Sequence, residues 1–241
     1  MTAMPRFLFR SPIASCTLVL SLISLASFPN LAMAQTVRFN PPPSIGAPGN
    51  REAGAVRSAT CTTSDRGLLA LIPETNLGLT TAAHPTLHVY LPPSTAETGE
   101  FVLYQEGTND LVYSKSFDVK DETGVFAIAL PDDNTAPSLE VGKQYYWYFT
   151  IVCNPDDRAS DVTVQGNIQR VAVSSSIANQ LRSASARDLP EIYAAAGIWY
   201  DALASLADLN HLNPDDPFAQ SGWSSLLGAV GLQSVANEPL L

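Results

Sequence analysis

The sequence predicts a mainly β fold with helices at one end. An antiparallel β-sandwich is expected over residues 58–173, with two or three helices over residues 174–241 packed on it. Three observations predict this. Seven short runs rich in β-branched and aromatic residues fall at 68–72, 87–91, 100–105, 111–119, 125–130, 145–153 and 161–173, with turn residues and no helical segment between them. Residues 138–153 alternate so that Tyr145, Trp147, Phe149, Ile151 and Cys153 share one face. From Ser175 onward the apolar spacing changes to a helical period.

Residues 1–34 have the layout of a secretory signal peptide. Arg6 and Arg10 form a basic start, an uncharged apolar run extends from Ile13 to Phe28, and Ala32-Met33-Ala34 supplies a cleavage site before Gln35. The run is short for a membrane span of about 20 residues. No integral membrane segment is therefore expected after cleavage, and the destination is the periplasm or the exterior. Residues 35–57 read as a flexible arm, because Pro41-Pro42-Pro43, Gly46, Pro48, Gly49 and Gly54 oppose helix and ladder pairing.

In the strand region, Leu139, Gly142, Tyr145 and Trp147 resemble the entry to a late strand of immunoglobulin- and fibronectin-like sandwiches. There a tyrosine at this corner bonds back to the backbone. The inward face of this strand carries Cys153, so a disulfide to Cys61 is expected in the core; an exported chain with two remaining cysteines favours such a bridge. Tyr146, Tyr148 and Thr150 point the other way, either toward a partner or beneath the helices.

Three helical segments are expected. The first is capped by Ser176 and runs to about Ala186. The second opens on Asp188 and Glu191 with Pro190 in the first turn, and carries a stripe from Ile192 to Leu209. The turn from Asn213 to Pro217 leads into the third, with Phe218, Trp223, Leu226, Leu227 and Val230 on its apolar side.

Charge narrows the function. The chain has 241 residues and a net charge of −10; losing Arg6 and Arg10 with the signal peptide makes it −12. Nucleic-acid binding requires a basic footprint that this balance does not supply. His84 and His88 are four apart, but Pro85 and Pro92 make the segment extended, and four strand residues span about 13 Å, too far for one metal. Pro131-Asp132-Asp133 and Pro155-Asp156-Asp157 read as turns, with Asp132, Asp133, Asp156 and Asp157 as weak calcium candidates. No catalytic motif for a nucleophile occurs, and no cofactor is called for.

The strings RGLLALIPETNLGLTTAAHPTLHVYLP (66–92), LEVGKQYYWYFTIVC (139–153), VQGNIQR (164–170) and AGIWYDALASLADL (196–209) resemble an exported cyanobacterial family. It is known only as domain of unknown function nine hundred and twenty-eight. His84-Pro85-Thr86 and Gly197-Ile198-Trp199-Tyr200-Asp201 are the most specific parts. Leu87-His88 and Asn167 depart from the aromatic residues that the family pattern implies. The resemblance implies an envelope protein and supplies no catalytic residues.

The expectation is a non-catalytic envelope module that binds a protein or polysaccharide. Tyr146, Tyr148, Tyr193 and Tyr200 lie off the predicted core stripes and are the candidate contacts. An envelope hydrolase acting on glycan or peptide is the alternative. An assembly factor acting by strand addition is another.

Overall fold

The computed structural model describes residues 36–43, 46–53 and 61–241. The expected signal peptide and its cleavage site lie outside the described residues. Eight strands form: β1 (Leu69–Ala70), β2 (Leu77–Thr80), β3 (Thr86–Leu91), β4 (Thr98–Gln105), β5 (Leu111–Asp118), β6 (Gly124–Ala129), β7 (Gln144–Val152) and β8 (Val162–Arg170). Four helices follow: α1 (Ser175–Ser183), α2 (Leu189–Ala195), α3 (Trp199–Leu212) and α4 (Pro217–Gly228).

The strands form two sheets, with orders β1-β3-β6 and β2-β8-β7-β4-β5. Every strand pair is antiparallel except β2–β8. This is an immunoglobulin/fibronectin-like sandwich with one added strand, β2, along its β8 edge. The sequence reading has no β2. LGLT is four residues long with a glycine and no alternation, so its pairing comes from tertiary context.

The alternation of β7 is realised. Tyr145, Trp147, Phe149 and Ile151 are buried against Phe101, Leu103, Val164 and Ile168. The Glu140 amide donates to the Tyr145 hydroxyl at 2.9 Å, which is the expected tyrosine corner. Cys61 and Cys153 are joined by a disulfide. The bridge is half-buried rather than deep in the core, because Cys153 lies just past the end of β7.

The helices depart from the reading in three ways. Ser174, not Ser176, caps α1 by accepting from the Ile177 amide, and the helix ends at Ser183. Asp188 does not cap α2 through its side chain; its carboxylate instead accepts from the Ser185 amide and hydroxyl. The single stripe from Ile192 to Leu209 is broken at Gly197, where φ is +75°. A Cβ there would lie 2.8 Å from the Asn40 carbonyl oxygen, so glycine permits both the turn and the close backbone.

That last contact also corrects the flexible arm. Val37 is buried, and its amide donates to the Ser225 hydroxyl. The Phe39 ring sits edge-on to Trp199 at 5.0 Å, and the Asn40 amide donates to the Ala194 carbonyl. Arg51 donates to the Ile72 and Val230 carbonyls. Prolines and glycines suppress regular structure here, but an extended strand of chain can still pack where apolar Val37 and Phe39 find a groove.

Candidate functional site

The Gly197–Asp201 string, the most specific part of the resemblance, lies inside the molecule. It docks the helices into the open side of the sandwich between β2 and β3. The Trp199 indole donates to the Leu71 carbonyl at 2.8 Å. The Trp147 indole donates to the Tyr200 hydroxyl at 3.1 Å, and that hydroxyl donates to the Asn167 carbonyl at 3.0 Å. Burial pushes the Tyr200 hydroxyl well above the usual phenol range, which keeps it a neutral donor. Asp201 accepts from the Thr80 hydroxyl at 2.6 Å and from the Thr81 amide and hydroxyl. Burial raises this carboxyl and those hydrogen bonds oppose the rise. The polar side chains of the string, Trp199, Tyr200 and Asp201, are thus spent on joining helix to sheet.

Tyr200 is accordingly corrected as a contact candidate: it is 1% exposed. Being off the predicted stripe does not expose a side chain at the first turn of a helix that enters a sandwich. Tyr193 is half-buried where α2 meets Thr81 and Asp201.

Tyr146 and Tyr148 occupy a different place, the outer face of the five-stranded sheet. The helices expected to cover that face pack on β2 and β3 through α3. Register places Tyr104 of β4 directly opposite Tyr146, and Val102 and Gln165 on either side of Tyr148. The Tyr104 and Tyr146 rings are stacked with centroids 5.3 Å apart, and Tyr146 meets Tyr148 edge-on at 5.9 Å. The Tyr146 hydroxyl donates to Asn109 in the β4–β5 turn at 3.0 Å. Desolvation, then Tyr148, Glu106 and Tyr104, raise the Tyr146 hydroxyl, so it stays uncharged. Leu111 of β5, opposite Tyr104, is 57% exposed. All three tyrosines are half-buried, with ring area left to a partner.

Asn167 closes this strip on the β8 side. Its amide donates to the carbonyls of Pro48 and Asn76, and the Asn76 amide also reaches Pro48. Residues 46–50 therefore form a rim, with the Gln165 amide donating to the Asn50 carbonyl. Sequence reasoning missed Tyr104. Alternation in FVLYQ does put it on the face opposite Phe101 and Leu103, but only the β4–β7 register brings it to Tyr146.

The other candidates do not converge. Asp133 accepts from Thr135, which holds it below the usual carboxylate range, and Asp157 caps the short turn at Arg158–Ser160. The Asp156 amide donates to Asn154, and Asp132 lies 3.4 Å from His84. Among the described residues, no group of three or more His, Cys, Asp or Glu is placed to hold a metal ion. His84 Nε2 faces both Ser138 Oγ, at 3.0 Å, and Asp132. A hydrolytic relay needs the acid on the other nitrogen, yet Nδ1 is buried with no partner. His88 sits in β3 with its ring edge-on to Trp223 at 6.2 Å. Burial, then His211, lowers it from 6.5 to about 4.

The geometry defines an immunoglobulin/fibronectin-like sandwich with a docked helical layer and a tyrosine-lined outer face. The chain belongs to the family described as Domain of Unknown Function (DUF928), whose model matches residues 52–240. Among solved structures it is similar to the fn3 domain of human collagen alpha-1(XX) chain, at 12% identity over 51% of this chain and 94% of that one, with a TM-score of 0.27. It is also similar to the FN5 domain of Drosophila Lar, at 16% identity over 39% of this chain and 97% of that one, with a TM-score of 0.21. No curated protein matches the chain.

Proposed function

We propose that this is a non-catalytic, exported binding module of the cell envelope. It meets a protein or polysaccharide partner through the outer face of the five-stranded sheet. One observation carries the reading: Tyr104, Tyr146 and Tyr148 form a contiguous aromatic cluster on a sheet face that the described helices leave open. Tyrosine offers a large rigid apolar ring and a hydroxyl, and so serves well at wet interfaces. The surrounding Asn109, Gln165 and Asn50 are neutral hydrogen-bonding groups. His84, one of the groups on which a hydrolase would rest, lacks relay geometry, which supports the binding reading over that alternative.

The test is a co-sedimentation assay with purified envelope polysaccharide, together with capture of envelope proteins. A Tyr146→Ala/Tyr148→Ala double variant is compared with the parent chain. The expected result is at least tenfold weaker retention with an unchanged unfolding midpoint. Unchanged retention of every envelope ligand by the variant would overturn the assignment of this face.

A further inference from the structure

The register fixes what surrounds the tyrosine cluster on the outer face of the five-stranded sheet. Directly opposed strand residues point to the same face. Beside the row that holds Tyr104 and Tyr146, the next row across the sheet is Ser114, Val102, Tyr148 and Gln165. The row after that is Ser116, Glu100, Thr150 and Thr163. The β4–β5 irregularity at Leu103/Tyr104 falls outside both of these rows. Ser114 and Ser116 are exposed, and the Thr150 and Thr163 hydroxyls share a hydrogen bond at 2.9 Å. The two rows hold one ionic side chain, Glu100, and Arg158 answers it at 2.7 Å. The tyrosines are thus bordered by hydroxyls, an amide and a neutralised carboxylate.

We infer that the ligand of this face is an uncharged polysaccharide, its sugar rings packed against Tyr104, Tyr146 and Tyr148 and its hydroxyls answered by the hydroxyl and amide groups of the adjoining rows. The inference rests on the tyrosine face being the binding surface, and it chooses between the two partner classes named for that face. A sugar ring has apolar C–H faces and hydroxyls that each donate and accept. Tyrosine, serine, threonine and glutamine side chains also do both, whereas a carboxylate only accepts and an ammonium only donates. The core of a protein–protein interface is more apolar than this. Here the outward aliphatic side chains in these rows are Val102, half-buried, and Leu111, 57% exposed.

Charge separates the classes further. Glu106 lies close enough to Tyr146 to raise its hydroxyl, and among the described residues it has no ion-pair partner. The chain as a whole carries −10. An anionic polysaccharide meets like charge both at the site and on approach. From Tyr146 to Thr150 along β7 is about 13 Å, which accommodates a short run of sugar rings beside the rim at residues 46–50.

The test is affinity electrophoresis of the purified protein through gels holding hydroxyethyl cellulose, dextran or galactomannan, against gels holding alginate or polygalacturonate. Retardation is expected in at least one uncharged gel and in neither anionic gel. Raising NaCl from about 50 mM to about 500 mM shortens the screening length severalfold and is expected to change the retardation less than twofold. Tyr146→Ala/Tyr148→Ala is expected to weaken it at least tenfold. Ser114→Glu, at an exposed site, is expected to weaken it severalfold without moving the unfolding midpoint. Retardation by the anionic glycans alone overturns the inference, and so does a partner held more tightly by Ser114→Glu, which marks a cationic ligand. No retardation in any uncharged gel also overturns it, and tyrosine-dependent capture of an envelope protein in that case leaves the assignment of the face standing. Glycan retardation that the tyrosine double variant leaves unchanged overturns the face itself.

Discussion

The two faces of β7 carry the same kinds of ring to opposite ends. On the inner face, Tyr145 and Trp147 are fully enclosed, and each polar atom is matched: Tyr145 to the Glu140 amide, Trp147 to Tyr200. On the outer face, Tyr146 and Tyr148 lean on each other and on Tyr104, and the described structure packs no helix over them. Residue type does not separate a core tyrosine from a contact tyrosine. What separates them is whether the chain provides the second surface. For the inner face it provides the second sheet and α3; for the outer face, among the described residues, it provides the rim at residues 46–50.

That comparison breaks most visibly at the helix–sheet joint. Trp199→Ala empties a fully buried site and removes the bond to Leu71. A loss of about 3–5 kcal/mol is expected from urea unfolding. Acid acts on the same interior through His88. Its folded value lies below its unfolded one, so stability is complete above about pH 6.5 and falls as the pH drops toward 4, because the unfolded chain takes up the proton first. The full loss is about 3 kcal/mol, and His88→Leu should flatten that part of a stability–pH profile. Tyr200→Phe leaves the ring but strands the Trp147 indole and removes one bond to the Asn167 carbonyl. About 1–2 kcal/mol is expected to go, read from the denaturation midpoint. At the other extreme, Tyr148→Phe on the outer face should move stability by less than about 0.5 kcal/mol. A cost similar to that of Tyr200→Phe would show that the outer face is structural after all.

The sandwich was largely legible because a period of two survives wherever one face is buried and the other wet, as along Tyr145–Ile151. The tyrosine corner was legible for a related reason: a local backbone bond leaves a local signature. β2 was not, since its partner Asn167 is remote and a parallel edge strand of four residues has no pattern of its own. The break at Gly197 hid inside a stripe that continues on both sides of it. The packing of residues 36–43 is not legible because composition reports conformational freedom, whereas the burial of Val37 depends on a groove that α4 and its neighbours create. Of the candidate site, Tyr146 and Tyr148 follow from alternation, whereas Tyr104 needs the register and Tyr200 needs the helix entry point.

The parallel pairing of β2 with β8 carries a consequence for how the chain reaches its native state. Leu77 has nothing to pair with until Asn167 exists, and the space beneath Trp147 is not sealed until Tyr200 arrives. A chain growing from its N-terminus therefore carries an unfinished sandwich with exposed indole and aliphatic surface until α3 is made. The closing step is the insertion of one helix turn, which makes the Trp147 fluorescence environment a natural clock for its maturation.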